Sequence, residues 1–259
     1  MEGAGNVKVC VESDLGLKRE QNEDTYLIVD HNTQDVDIQY YGTMYAVADG
    51  MGGHAGGDIA SQMACQGLLE YYAKDELTAQ DTSDFYRSRL QCLKTTIFNI
   101  HDNIREFGKQ NSEYTNMGTT LSVLVLIKNR ALIVHVGDSR IYRLRRDSLE
   151  QMTQDHTMAQ VLMELGHLTS ETGSKHPSRH ILTQAVGREI EVINTRIEKI
   201  NKDDIFLLCS DGLNDKLTDV EIKGILLSGS KFKDKCSRLV KKALKMDAKD
   251  NVTVLVVQV

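Results

Sequence analysis

The sequence lacks the features that divide a chain into parts or carry it through a membrane. Its 259 residues contain one proline, Pro177, and no Pro/Gly/Ser-rich linker, internal repeat or low-complexity tract. The longest apolar runs, such as Leu121 to Ile127, are far too short to cross a bilayer. A chain of this length can bury the core of one large domain, so we predict a single domain over residues 1–259.

Cysteine usage and the N-terminus do not suggest a secreted protein. The five cysteines are odd in number, widely scattered and never arranged as C-x-x-C, which fits reduced thiols better than a disulfide framework or a zinc site. Residues Met1 to Gly5 provide neither the basic nor the apolar part of a signal peptide. We therefore expect a cytoplasmic protein.

The charge balance argues against a nucleic-acid-binding protein. The formal net charge is −6 and the isoelectric point is near 5.8, whereas a surface that binds nucleic acid usually carries a basic stripe. We expect neither a nucleic-acid partner nor a membrane partner.

Nine segments alternate between apolar and polar residues or are rich in β-branched residues, and they predict strands. The hairpin signal is clearest at Lys128-Asn129-Arg130, between two of them. Nine strands with short connections favour two packed sheets over a doubly wound parallel sheet. The predicted strands are Val7 to Val11, Thr25 to Val29, Thr43 to Ala48, Ser122 to Ile127, Ala131 to Val136, Ile141 to Leu144, Thr195 to Ile200, Ile205 to Cys209 and Val252 to Val259.

Four segments predict helices. Apolar residues recur every three or four positions from Tyr86 to Phe107, which fits a helix laid across a sheet better than a coiled-coil dimer of about three heptads. The others run from Ile59 to Tyr72, after a capping box at Thr218 and Glu221, and from Phe232 to Ala243. The element order predicts an α+β fold: two packed antiparallel β-sheets, a β-sandwich flanked by helices on both outer faces. We expect a monomer.

Four aspartates lie at the ends of predicted strands: Asp49, Asp138, Asp211 and Asp250. Close carboxylates cannot all stay ionised unless cations compensate them, and Mg²⁺ and Mn²⁺ prefer oxygen ligands of this kind. The pattern therefore predicts a metal enzyme. Three of the aspartates follow a strand and Asp250 precedes one, so all four share an edge only if the last strand runs antiparallel to the other three.

Two further segments carry chemistry. The glycines in Asp49-Gly50-Met51-Gly52-Gly53-His54 would let the backbone approach a ligand and offer a carbonyl, although a flexible turn would also use such glycines. Upstream, Arg19 could present a bidentate fork to a phosphate, and its acidic neighbours Glu23 and Asp24 could reach metal-bound water. Alone, that second segment would be a solvated charged turn.

These segments together resemble the metal-dependent protein Ser/Thr phosphatases of type 2C, the PPM family, and specifically its compact bacterial members. The resemblance covers essentially the full length, in an order of motifs not expected by chance. The motifs are Arg19-x-x-Asn22-Glu23-Asp24, Asp49-Gly50-Met51-Gly52-Gly53-His54, Met117-Gly118-Thr119-Thr120, Val136-Gly137-Asp138-Ser139-Arg140, Thr153-Gln154-Asp155-His156, His176-Pro177, Leu182-Thr183-Gln184-Ala185-Val186-Gly187, Ser210-Asp211-Gly212-Leu213 and Asp250-Asn251-Val252-Thr253.

The resemblance implies a core site for two Mn²⁺ or Mg²⁺ ions at one edge of the sandwich. Asp49 would bridge the two ions. The Gly50 carbonyl would bind one of them, and Asp211 and Asp250 the other. Glu23 would act mainly through metal-bound water.

The resemblance also implies the remaining roles. Asp138 resembles the ligand of a weaker third ion, helped by Asp211 or Asp215. Arg19 would hold the substrate phosphate, His54 resembles the proposed general acid, and residues 156–180 match a mobile flap beside the site.

The implied reaction is hydrolysis of phosphoserine and phosphothreonine in proteins by direct in-line attack of a metal-bridging hydroxide, without a covalent intermediate. Phosphorylated proteins and a cognate Ser/Thr kinase are the implied partners. One departure is visible, because members usually carry a glycine pair just before the last Asp-Asn, where this chain has Asp247-Ala248-Lys249.

Other readings account for fewer of these residues. No cysteine is followed six positions later by arginine, which excludes a cysteine phosphatase. A serine hydrolase using Ser139 or Ser210 has no G-x-S-x-G elbow. A two-metal nuclease conflicts with the acidic charge. A binding module with a dead site conflicts with the presence of all four aspartates and Arg19.

Overall fold

The computed structural model describes residues 7–52, 56–73 and 83–259. Within these ranges the chain forms two antiparallel sheets and a set of helices. The strands are β1 (Lys8–Asp14), β2 (Asp24–Val29), β3 (Thr43–Met51), β4 (Gly118–Thr119), β5 (Leu121–Ile127), β6 (Arg130–Val136), β7 (Arg140–Arg145), β8 (Ser148–Gln151), β9 (Asn194–Lys199), β10 (Ile205–Cys209) and β11 (Val252–Gln258). The helices are α1 (Ile38–Tyr41), α2 (Gly57–Gly67), α3 (Ser83–Gln110), α4 (Met158–Glu164), α5 (Ser170–Gly173), α6 (Asp211–Asn214), α7 (Asp219–Leu227) and α8 (Lys235–Lys245).

The two sheets pack face to face. One has the strand order β1-β11-β10-β7-β8 and the other β2-β3-β5-β6-β9, with the short β4 paired to β3. Apolar side chains between the sheets form one core, which includes Tyr45, Leu124, Phe206 and Leu255. The predicted sandwich of two antiparallel sheets is confirmed.

A helical layer covers each outer face. Helices α2 and α3 bury their apolar faces against the sheet of β3 and β5, and α7 and α8 against the sheet of β10 and β11. Leu93, Ile97, Ile100 and Ile104 of the predicted stripe are all buried in this way, as expected for a helix laid across a sheet. Thr218 and Glu221 form the predicted capping box of α7.

The nine predicted strands are all present, with boundaries shifted by up to three residues. The prediction omitted β4 and β8, which are too short for a periodic signal, and the short helices α1, α4, α5 and α6. In the hairpin, Ile127 pairs with Arg130, leaving a two-residue turn. Among the described residues, no helix is long and apolar enough to span a membrane.

The sheet topology meets the condition that the four aspartates impose. β10 and β11 are antiparallel neighbours, so Asp211 after β10 and Asp250 before β11 lie at one edge. β3 and β6 both pair antiparallel with β5 and therefore run parallel to each other. Asp49, near the end of β3, and Asp138, after β6, thus share an edge of the second sheet.

Candidate metal centre

Four carboxylates converge where these edges meet. We call Asp49, Asp138, Asp211 and Asp250 the acidic edge. Burial raises the pKa of Asp49 well above its ordinary value, and the charges of Asp24, Asp211, Asp138 and Asp250 raise it further. The pKa of Asp211 is raised in the same way, first by burial and then by the neighbouring carboxylates. Without a cation, the site disfavours ionisation of its own acids.

Asp24 is a further carboxylate at this site and is buried; the sequence grouped it with Glu23 as a residue that could reach metal-bound water. It lies directly opposite Asp49 in the β2–β3 pair. Its Oδ2 accepts a hydrogen bond of 2.7 Å from Ser210, which follows β10, so Asp24 joins the two sheets. Burial raises its pKa to about 6. The sequence signal for Asp24 was its position directly after Glu23 in the motif Arg19-x-x-Asn22-Glu23-Asp24.

Gly50 is required by close packing. It lies within β3 rather than in a free turn, and its N–H donates to the Glu23 carbonyl at 3.1 Å. A Cβ at this position would sit 2.0 Å from the Gly57 carbonyl oxygen and 2.6 Å from that of Glu23. The start of α2 therefore presses directly on the Gly50 backbone, beside Asp49. The flexible-turn reading does not account for Gly50.

Glu23 lies against the same contact. A Cβ on Gly57 would sit 2.5 Å from Glu23 Oε1, so the carboxylate packs on the first turn of α2. The Glu23 side chain is 17% exposed, and burial raises its pKa above the ordinary value. The structure thus brings Glu23 to the acidic edge.

Hydroxyl groups connect the backbone of Asp49 to Ser139, the residue after Asp138. The Asp49 N–H donates to Thr120 Oγ1 at 3.0 Å, and Thr120 Oγ1 lies 2.6 Å from Ser139 Oγ. Asp138 itself is buried, and burial raises its pKa to about 7. Ser139 and Ser210 are fully buried with hydrogen-bonded hydroxyls, which removes the serine-hydrolase reading.

Asp215 extends the site toward the predicted flap. One oxygen of each of Asp211 and Asp215 and a ring nitrogen of His180 lie within 4.8 Å of one another, an arrangement able to hold a metal ion. Arg179 Nη1 forms an ion pair with Asp215 Oδ1 at 2.9 Å. The end of the 156–180 segment thus lies beside Asp211.

Arg19 presents its fork at the acidic edge. Its Nε and Nη2 atoms donate to the two oxygens of Asp250 at 2.7 and 2.9 Å, and Nη1 lies 3.6 Å from Glu23 Oε2. The Asp250 interaction is the main reason that the pKa of Arg19 is raised. The contact shows that the guanidinium fork reaches the acidic edge and can pair bidentately with an oxyanion there, such as a carboxylate or two oxygens of a phosphate.

Asn251 fixes the loop that carries Arg19. Its Nδ2 donates to the Leu15 and Gln21 carbonyls at 2.9 and 3.1 Å, and its Oδ1 accepts from the Glu23 N–H at 2.9 Å. Asn251 is 3% exposed. Sequence reasoning quoted this residue in a motif but assigned it no role.

The departure at Asp247-Ala248-Lys249 does not disturb the backbone path. Asp247 has φ +62°, the left-handed conformation that aspartate tolerates better than most residues. The carbonyls of Ala248 and Lys249 accept from the Leu17 and Lys18 N–H groups at 2.9 and 3.2 Å. Asp250 is thereby held at the acidic edge without the glycine pair.

The residues fit divalent ions. Asp211 Oδ1 and Asp24 Oδ1 are buried and have no hydrogen-bond partner among the described residues, an arrangement that costs free energy unless something else satisfies them. The donors are carboxylate and carbonyl oxygens, as Mn²⁺ and Mg²⁺ require. His54 lies outside the described residues.

Comparison with known proteins agrees with this chemistry. The family model "Protein phosphatase 2C" matches residues 18–252. The protein phosphatase PhpP of Streptococcus pneumoniae is 34% identical over 255 residues, covering 97% of each chain.

Solved structures match over the whole sandwich. The serine/threonine phosphatase Stp1 of Staphylococcus aureus superposes with a TM-score of 0.85 at 30% identity, covering 100% of this chain and 97% of that one. The catalytic domain of the phosphatase PstP, solved with two manganese ions, gives 0.79 at 30% identity over 97% of both chains. The chain belongs to the protein phosphatase 2C family and is a metal-dependent protein serine/threonine phosphatase of the bacterial type.

Proposed function

We propose that the acidic edge holds two Mn²⁺ or Mg²⁺ ions and that the protein hydrolyses phosphoserine and phosphothreonine in one direct displacement. The observation that carries the proposal is the meeting of Asp49, Asp138, Asp211 and Asp250 at one edge, where Asp211 Oδ1 is buried and has no hydrogen-bond partner among the described residues. Two such ions, typically about 3.5–4 Å apart, would supply an acidified water molecule and positive charge for the phosphoryl oxygens. No residue of the chain then needs to become phosphorylated.

The chain contributes position and charge. Asp49 would bridge the ions, the Gly50 carbonyl would bind one, and Asp211 and Asp250 the other. Glu23 would act through water, consistent with its packing against α2. Asp49 and Gly50 lie in β3 of one sheet, and Asp211 and Asp250 lie beside β10 and β11 of the other, so the packing of the two sheets sets the spacing of these donors.

The outer residues complete the reaction. Asp138 would hold a weaker third ion with Asp211 or Asp215. We assign protonation of the leaving Ser or Thr oxygen to His54, on its place in the sequence motif. Residues 156–180 would form a flap, and its contacts to Asp215 support a location beside the substrate.

We further propose a cytoplasmic monomer that opposes a Ser/Thr kinase. The five cysteines are free thiols, as expected in a reducing compartment. The kinase follows from the reaction, because its substrates must first be phosphorylated on serine or threonine.

The test is hydrolysis of a phosphothreonine peptide by purified protein with Mn²⁺ and after chelation, with bound metal measured in parallel by calorimetry. We expect turnover to require the metal and two ions to bind tightly. Acid quenching during turnover with labelled peptide should yield no phosphoprotein. Full activity in chelator would contradict the two-metal proposal, and a trapped phosphoprotein would contradict direct displacement.

Arg19→Ala should raise the KM for the phosphopeptide more than it lowers kcat, with both ions still bound. A charge-assisted contact is worth roughly 10- to 150-fold in affinity, and we expect the lower end because the Arg19 side chain is 47% exposed. Arg19→Lys should rescue only partly, because an ammonium lacks the fork.

The matched control is Arg87→Ala on the exposed side of α3, which should leave both constants unchanged. A phosphopeptide KM that is the same in Arg19→Ala and the parent protein would place Arg19 outside the substrate site.

A further inference from the structure

A cavity lies beside the acidic edge, between α3 and the segment from Leu182 to Glu189. Its volume is about 500 Å³, and Met51, two residues after Asp49, forms part of its wall. None of the proposed metal ligands lines this cavity.

The lining carries an excess of positive charge. Arg105 and Lys109 from α3 and Arg188 from the opposite wall line the cavity, against one acid, Glu189. Among the described residues Arg105 and Arg188 form no ion pair, and Lys109 contacts only Glu106, at 3.7 Å. Unpaired cations around a concavity in a chain of net charge −6 favour an anionic ligand.

The backbone and the stem of Arg188 are held in place by their surroundings. It lies in a tight turn in which its N–H donates to the Ala185 carbonyl at 3.1 Å. Gly187, with φ +89°, donates its N–H to His101 Nδ1 of α3 at 3.1 Å. The stem of Arg188 covers Gly118, where a Cβ would sit 2.7 Å from Arg188 Cγ. The backbone and stem are thereby fixed, and the exposed guanidinium stays available to a ligand in the cavity.

The cavity is close to the reacting phosphate. Thr119 exchanges two backbone hydrogen bonds of 2.9 Å with Val186, and β4 pairs with Gly50 and Met51 of β3. Two strand spacings separate the Arg188 turn from β3, or about 10 Å. An extended peptide advances about 3.3 Å per residue, so the cavity is about three residues from a phosphoresidue at the acidic edge.

We propose that this cavity is a substrate subsite that binds an anionic group about three residues from the phosphoserine or phosphothreonine. The group is an acidic side chain or a second phosphate, both of which match a guanidinium fork. This inference rests on the proposed function and adds a substrate preference to it: acidic or doubly phosphorylated segments.

The test uses phosphothreonine peptides that differ only three positions before or after the phosphoresidue. That position carries Asp, a phosphonate analogue of phosphoserine, Ala or Lys. We expect the parent protein to prefer the two anionic peptides in kcat/KM relative to the Ala peptide. A larger preference for the phosphonate identifies a second phosphate as the ligand, and an equal preference identifies any anion.

Removal of the cations should reduce that preference. Arg188→Gln keeps most of the stem over Gly118 and should lower the acidic-to-Ala ratio about 2- to 5-fold, the range of an exposed charge pair. Arg105→Gln combined with Arg188→Gln should lower it about 4- to 25-fold if the two act independently. The matched control is Lys241→Gln on the exposed side of α8, which should keep the parent ratio.

Two results would overturn the subsite: no anionic preference on either side of the phosphoresidue, or a preference that survives in the double variant. Failure of the proposed function looks different, because no phosphopeptide would then be hydrolysed. In that case the fluorescence anisotropy of the labelled Asp peptide still tests the subsite by measuring binding. Arg188→Gln must weaken binding of this peptide, and Lys241→Gln must not.

Discussion

Asp211→Asn should abolish turnover while the protein stays folded. The substitution removes one negative charge and one proposed metal-binding oxygen from a position where Oδ1 has no partner among the described residues. We expect a loss on the order of 10³-fold or more, equivalent to at least about 4 kcal/mol of transition-state stabilisation. Asp49→Asn should behave in the same way. Calorimetry with Mn²⁺ should show that the tight binding is lost together with activity.

Asp211→Asn should also stabilise the metal-free protein at neutral pH. The folded pKa values of Asp24, about 6, and Asp138, about 7, lie above the ordinary value of 3.8, and those of Asp49 and Asp211 are also raised. Between pH 4 and 7 the folded state therefore binds more protons than the unfolded state. Its free energy of unfolding falls as pH rises through that window.

Removal of one carboxylate from the acidic edge should reduce this pH-dependent loss of unfolding free energy. In the parent protein, Mn²⁺ should restore the lost stability because it binds only the folded state. Chemical unfolding in chelator at pH 5 and pH 7.5 measures the effect. The matched control is Asp147→Asn in the exposed β7–β8 turn. An Asp211→Asn protein that keeps tight Mn²⁺ binding and turnover would contradict the assignment of the metal site.

Gly50→Ala should damage stability and activity together. The new Cβ would lie 2.0 Å from the Gly57 carbonyl oxygen, and all three contacts within 2.6 Å are to backbone atoms of Gly57 and Glu23, which no side-chain rotation can relieve. We expect a loss of at least about 2 kcal/mol of unfolding free energy. A shift of about 1 Å between β3 and α2 would also misplace Asp49 and lower kcat about 10²-fold.

Gly224→Ala is the matched control, because it lies in α7 with no heavy atom within 4 Å of the added Cβ. Alanine there should be neutral or stabilise the helix by about 0.5–1 kcal/mol. Equal stability and activity of the Gly50 and Gly224 variants would show that the backbone around Gly50 can shift to accept a Cβ with little loss of unfolding free energy.

The sequence predicted the parts of the molecule whose signals are local. Strand periodicity, the α3 stripe and the capping box at Thr218 each depend on residues a few positions apart, and each was confirmed. The convergence of Asp49, Asp138, Asp211 and Asp250 was also predicted, because strand ends and an antiparallel last strand suffice to place them. The ligand roles of these residues remain proposals.

Features that depend on distant contacts were not predicted. The hydrogen bond of Asp24 to Ser210 and the three bonds of Asn251 join residues with no shared periodicity. The requirement for Gly50 follows from the approach of α2, which is visible only in three dimensions. Similarly, Arg188 and Arg105 belong to different elements, and only the fold places them around one cavity.

The hydrogen bonds of Asn251 join residues from early and late in the sequence, which determines when activity can begin during synthesis of the chain. Asn251 joins Glu23 across 228 positions, and Arg19 meets Asp250 across 231. β1 finds its partner in β11, so that one sheet includes both the earliest and the latest described strands. Such distant pairing makes folding slow relative to local structure. A growing polypeptide would therefore carry no phosphatase activity until the segment after α8 has been synthesised and has docked between β1 and β10.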